Sequence, residues 1–370
     1  MQNENNISKS QKQVRSSNFE FLRILSMLMI VAYHAAQHAG QGGFSIFVAK
    51  PSLNVLSTIL LGTYGQLGVF LFIIISSWFL CDRQGIHIKK VINLYLQTMI
   101  CSILIFFVIK IFNFEPVGIK ELIKAFLTPI YNQYWFIRSY IFFYLLVPFL
   151  QNYLQSAEEK QITKLLITLT ILIPVFRFLF FVEEFGPTGD FIYVFIAVFY
   201  LKKNPDNFIE KHARLICPIL LILMWTLLFM MNLIFYKLNF LSKNIALNLM
   251  RQVFASRNIF VLLLALSIFY IFKNHVKIGY SKLINAIAGT TLGVYIFHEN
   301  PLLHSYGENG LSETALLFEQ WLKIGLHFEN DRFFALYFIG CALLVFAVCS
   351  LLEFLRQGIV WLFLKIRNKS

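Results

Sequence analysis

The chain has 370 residues, of which 58% are hydrophobic and only 14% charged, whereas soluble domains are roughly 45–50% apolar and about 25% charged. That excludes a soluble enzyme or binding module and predicts an all-α, polytopic transmembrane helix bundle in a lipid bilayer. The net charge of +13 comes from basic residues scattered through short loops between apolar runs, a topology signal, so no nucleic-acid partner is expected.

Residues 1–18 are polar and read as a cytoplasmic tail. The first apolar run, Phe19 to Gly40, holds Arg23 near its start and His34 and His38 near its end. Arg23 and His34 are eleven residues apart. At about 100° per residue this returns to within roughly 20° of the same helix face, about 16 Å further along the axis. Ionisable groups inside a span are costly, so such a face is a functional-site hypothesis. For Arg23 alone, snorkelling to the cytoplasmic headgroups is the competing account. Lys9, Lys12 and Arg15 ahead of the run and small residues around Ala36 to Ala39 mimic a cleaved signal peptide. Arg23 interrupts the apolar core and many runs follow, so a retained first span is predicted.

A turn with Gly40, Gly42 and Gly43 leads to a second run over 53–80, closed by Asp82 and Arg83. A third covers 91–112. Residues 113–134 are too polar to span and read as an interfacial helix or a substrate-facing loop. The fourth run, Trp135 to Tyr153, contains Arg138 and Pro148. Runs five and six, 162–182 and the short 189–201, flank the loop EEFGPTGD. Runs seven and eight cover 214–236 and 253–272, and run nine, 283–303, ends in YIFHENPLL. A polar loop to Asp331 precedes run ten, 333–355. The transmembrane domain is therefore placed at 19–356, with a basic cytoplasmic tail over 357–370. Four of the five cysteines (Cys81, Cys101, Cys217, Cys341 and Cys349) fall inside apolar runs and none has CxxC spacing, so no disulfide or zinc framework is expected.

With the N-terminus inside, the inner loops collect Arg83, Lys89, Lys90, Lys160, Lys164, Lys202 and Lys203, while Glu183, Glu184, Glu299 and Glu319 fall outside. Ten spans with both termini cytoplasmic satisfy the positive-inside rule. On that topology Arg23 lies at the cytoplasmic end of the first span. His34, Arg138 and His298, the last followed by Glu299 and His304, lie toward the outer side. An outward-opening pocket is predicted.

Three segments carry a resemblance. FEFLRILSMLMIVAYHA keeps an arginine and a histidine with ten residues between them, Arg23 and His34. QYWFIRSYIFFYLLVPFL, Gln133 to Leu150, has a Trp-Phe pair before a Tyr and a Pro. GVYIFHENPLL, Gly293 to Leu303, contains Tyr-x-x-His-x-x-Pro. In these, and in span count over essentially the whole chain, the sequence resembles the family 3 membrane acyltransferases, integral-membrane enzymes that O-acylate bacterial surface glycans and related acceptors. A fourth family pattern, Phe-Phe-x-x-Ser-Gly, is half kept. Phe72 and Ser76 match, while Ile73 and Ser77 stand where Phe and Gly would be.

The resemblance implies an O-acyltransferase of the bacterial plasma membrane. It would take an acetyl group from cytoplasmic acetyl-CoA to a hydroxyl of an extracytoplasmic cell-surface glycan or its precursor, with no permanently bound cofactor. Transfer from a thioester to a hydroxyl needs a base and a stabilised oxyanion. Histidine titrates in the right range for the base, and His34 takes that role, either as general base or as a covalent acyl carrier. Arg23 fits the phosphates of acyl-CoA at the cytoplasmic mouth. Arg138 either binds the acceptor, steadies the oxyanion or snorkels. His298 either serves the acceptor side or caps its helix before Pro301. Trp135 and Tyr295 either stack on sugar rings or belong to the interfacial belt, and Ser76 is assigned to substrate through its family pattern. His34 and His38 are four apart but lack an HExxH motif and a third ligand, so no metal is expected. The competing class is a transporter, such as a flippase for a lipid-linked sugar, although no internal repeat is evident. A polysaccharide polymerase would call for a larger extracytoplasmic loop than 304–331.

Overall fold

A computed structural model describes residues 16–40, 43–83, 85–114, 116–128, 134–181, 183–238, 242–303 and 315–367. The tail over 1–15 and His304 lie outside them. All regular structure among the described residues is helical. Seven segments are long and apolar enough to cross a membrane: Ser17–His38, Leu53–Leu80, Ile88–Ile111, Glu159–Phe180, Phe208–Lys237, Lys243–Asn274 and Phe334–Arg367. The fourth, sixth and ninth predicted runs are also helical but do not qualify. Helix α6 (Trp135–Ser156) has a polar C-terminal end, α9 (Gly186–Lys203) is short, and run nine is split into α13 (Lys282–Ala288) and α14 (Thr291–His298).

The first run forms α1 (Ser17–His38), which packs against α2 (Leu53–Gly62), α3 (Gly65–Leu80), α12 (Ile259–Asn274), α13, α14 and α16 (Phe334–Arg367). Close approach of α3 to α1 depends on Gly65, where a Cβ would fall 2.3 Å from the Tyr33 ring. Outer members α4 (Ile88–Ile111), α10 (Phe208–Leu238) and α16 expose Leu104, Phe107, Ile219, Leu223, Leu343 and Leu351, the apolar face that a bilayer covers.

Several spans are interrupted near the molecule's polar interior. The second run bends at Thr63 and Tyr64, between α2 and α3. In the fifth, a π turn over Ile171–Val175 separates α7 (Glu159–Thr170) from α8 (Phe176–Phe180). Pro174 inside it lacks an N–H to continue the regular ladder. Between α11 (Lys243–Phe254) and α12 the chain opens at 255–258. Asn258 restarts the helix there, its Oδ1 accepting from the Phe260 and Val261 N–H groups at 3.0 and 3.1 Å. Non-helical backbone at such depth is tolerated where it is buried in protein or lines a cavity.

Residues 113–134 contain the amphipathic α5 (Ile119–Phe126), which exposes Ile119, Ile123 and Phe126. The described part of the outer loop before run ten is more ordered than its polarity suggested. A π turn, Leu316–Trp321, and α15 (Ile324–Asn330) lie at the C-terminal end of α1. Glu319 Oε1 accepts the Gly40 N–H at 2.7 Å and the Gly325 N–H at 2.9 Å, and burial pushes the Glu319 carboxyl up from its ordinary range.

Candidate active site

His34 on α1 and His298 at the end of α14 meet in the interior, 8% and 0% exposed. His34 Nδ1 lies 2.9 Å from His298 Nε2 and 2.9 Å from Glu299 Oε2. The protons can be placed by elimination. The Val294 carbonyl, 2.6 Å from His298 Nδ1, only accepts, so Nδ1 of His298 carries the hydrogen and a neutral His298 presents a lone pair at Nε2. Toward His298 Nε2 the His34 Nδ1 is then the donor, and the Glu299 carboxylate lies beside it as a charge partner. Nδ1 holds the hydrogen, and Nε2 of a neutral His34 is the basic atom. When Nε2 takes a proton, Glu299 stands against the resulting imidazolium.

The end of α14 is fixed from α6. The buried Tyr134 hydroxyl donates to the Ile296 carbonyl at 2.9 Å and accepts from Asn300 Nδ2 at 2.8 Å. This holds the turn on which His298 and Glu299 sit. His38, one turn beyond His34, stacks on Phe318 at 5.9 Å between ring centres.

A cavity of about 770 Å³ opens beside His34, and Ser76, Trp135, Arg138, Tyr295 and Glu299 also line it. Of the residues expected from the sequence, His34, Arg138, Trp135, Tyr295 and Ser76 thus share one wall system. His298 stands behind His34. Trp135 is half-buried and Tyr295 is 5% exposed against Tyr134 and Phe136, and both line the cavity. Arg23 is not on the wall, and its Nη1 pairs with Glu20 at 2.7 Å. It nevertheless continues the lining face of α1. Met27, Ile30, His34 and Gln37 line the cavity at helical spacing, and Arg23 lies one turn N-terminal to Met27. Tyr140, also on the wall, sits beside Ser76 and within Coulombic reach of Arg23.

Sequence reading has no role for a second polar group at the outer wall. Asp190 on α9, 1% exposed, accepts from Arg177 Nη1 at 2.6 Å through one oxygen and from Arg257 Nε at 2.5 Å through the other. Arg257 also pairs with Glu183 and lies over the Trp135 ring at 5.1 Å. Arg257, Glu183 and Gln66 line the cavity. The available signal was an ionisable residue within an apolar run, which Arg177 and Asp190 both give. Arg257 instead looks like a loop cation until the opening before α12 is known.

One atom from each of His34, His298 and Glu299 lies within 4.8 Å of the others, close enough to hold a metal ion. The structure thus supplies through α14 the further ligands that the His34/His38 spacing lacks. The His34–His298–Val294 contacts as they stand are those of a hydrogen-bonded relay, with Glu299 beside it as a charge partner.

Residues 16–354 match a family described as an acyltransferase domain. Comparison with curated proteins and with solved structures returns no match.

Proposed function

The chain belongs to acyltransferase family 3, and from that premise we propose that it is a membrane O-acyltransferase carrying an acetyl group from cytoplasmic acetyl-CoA to a hydroxyl of an extracytoplasmic glycan or glycan precursor. The observation that supports this reading best is His34 on the cavity wall with its Nδ1 committed to His298 and the Glu299 carboxylate beside it.

In the reaction, Nε2 of His34 removes the acceptor hydroxyl proton as that oxygen attacks the thioester carbonyl. Glu299 and His298 hold the ring and offset the imidazolium charge, a role that leaves the carboxylate ionised. Arg138 stabilises the oxyanion of the tetrahedral intermediate. Collapse expels the CoA thiolate, which recovers the proton from Nε2. The base is then restored and no co-reactant is consumed.

Arg23 marks the donor end. From Arg23 to His34 the helix rises about 16 Å, comparable with an extended phosphopantetheine arm. Phosphates held near the cytoplasmic end of α1 would therefore present the thioester beside His34. The acyl group crosses the bilayer by being handed over at mid-depth, with donor and acceptor approaching from opposite sides in a bacterial plasma membrane.

The test is release of CoA from labelled acetyl-CoA by the purified protein in vesicles, with a cell-envelope glycan extract as acceptor, wild type beside His34→Ala. CoA release and labelled glycan with the wild type, reduced about 10²- to 10⁴-fold in the variant, are expected. Equal release by the two proteins overturns the assignment of His34. Absence of release from wild type removes the acyltransferase reading and restores transport of a lipid-linked sugar as the alternative.

A further inference from the structure

The buried polar group at the cavity wall is balanced only by a half-exposed carboxylate. Arg177, Arg257 and Asp190 have side chains 5%, 9% and 1% exposed, two guanidiniums against one carboxylate, and both Asp190 oxygens are already used. One positive charge is left over in the interior, an arrangement that burial penalises unless an anion completes it. The completing group is Glu183, whose side chain is 50% exposed at the cavity mouth. The Arg257 guanidinium is held on its Nε edge by Asp190 and over the face of Trp135. Among the described residues its other edge meets Glu183, whose Oε1 also lies 3.7 Å from Arg177 Nη2, and, at 3.4 Å from Nη1, the Gln66 side-chain oxygen. The cation is held in the interior, and its counter-ion is the half-exposed partner.

We propose that Arg257 is the anion receptor of an acceptor subsite, and that the sugar taken there carries a carboxylate or a phosphate which replaces Glu183 on that edge of the guanidinium. A bidentate anion spans Nη1 and Nη2 with better geometry than the 3.4 Å contact with Gln66, and Trp135 supplies the adjoining aromatic surface. The inference deepens the acyltransferase reading by naming the class of acceptor. As a binding statement it does not depend on turnover.

The experiment is calorimetric titration of the purified full chain in nanodiscs with D-glucuronate, glucose 6-phosphate and D-glucose. Saturable binding of a charged sugar with none of glucose is expected, and the two charged probes report whether carboxylate or phosphate is preferred. Arg257→Gln should weaken that binding about tenfold or more. Glu183→Gln, which removes the competing anion and leaves Asp190 with both partners, should tighten it. This gain cannot arise from misfolding or from a purely structural ion pair. Equal binding of charged and neutral sugars, no binding of either charged sugar, or unchanged affinity in Glu183→Gln overturns the proposal. His34-dependent CoA release, measured on the same preparations, reports separately on the acyltransferase reading.

Discussion

At His34 the position of one proton decides what the ring can do. Nδ1 faces a lone pair on His298 with the Glu299 carboxylate alongside, and only the tautomer with Nε2 bare donates to that lone pair. His298→Gln removes the Val294-anchored imidazole that supports this tautomer. It is expected to lower kcat about 10- to 100-fold with little change in KM for acetyl-CoA, and EDTA is expected to leave the wild-type rate unchanged. A chelator-sensitive rate would instead turn His34, His298 and Glu299 into metal ligands. Arg23 acts at a different place. Glu20 is 5% exposed, and removing the guanidinium alone would leave its charge buried without the partner now 2.7 Å away. The cleaner variant is therefore Glu20→Gln combined with Arg23→Ala. It should raise KM for acetyl-CoA about tenfold, with kcat nearly intact. Unchanged donor kinetics in that double variant would return Arg23 to the snorkelling account.

At the scale of elements, the site is built where helices stop. The opening at 255–258 delivers Arg257, the π turn at Ile171–Val175 precedes Arg177, and the end of α14 presents His298 and Glu299. Periodicity reveals helices but not their interruptions, because an apolar run continues through a bend that buried packing stabilises. The outer strap over α1 is a second example. Gly325 comes so close that a Cβ would lie 2.7 Å from Gly40, and Glu319 ties the two N–H groups together. Burial raises the folded-state pKa of this carboxyl, so the native state holds its proton more tightly than the unfolded chain does. That contribution to stability is complete below the unfolded value, near 4.3, and is lost as pH rises through the raised folded one. Glu319→Gln keeps an oxygen for both N–H groups and removes the titration. Its melting temperature relative to wild type should therefore be higher at pH 7.5 than at pH 4. A difference that does not change with pH would show that desolvation of this carboxylate is unimportant.

At the scale of the whole molecule, the proposed chemistry requires the two ends of the His34 helix to face opposite compartments. Lys203, at the end of α9, and Glu184, just before its start, are both exposed, and the five native cysteines are buried, so introduced thiols should be read without background. An impermeant maleimide is expected to label Lys203→Cys only in inverted vesicles and Glu184→Cys only in right-side-out ones. Labelling of both from one side would dismiss the proposed sidedness and, with it, donor and acceptor on opposite faces.

The sequence by itself determined the solvent and the class of fold, because 58% hydrophobic content and runs of span length leave few soluble alternatives. It also marked Arg23, His34, Arg138 and His298, since a charge or imidazole in an apolar run is costly enough to stand out locally. Five of the seven residues it singled out line one cavity. Pairing was left to the tertiary structure. Glu299 became the partner of His34 only when α14 was laid against α1, and Arg257 became a wall residue only when the break before α12 turned it toward Trp135. Those relations join positions up to 265 apart in the chain. No local pattern of hydropathy encodes such contacts, which are fixed by helix packing and by the need to neutralise buried charge.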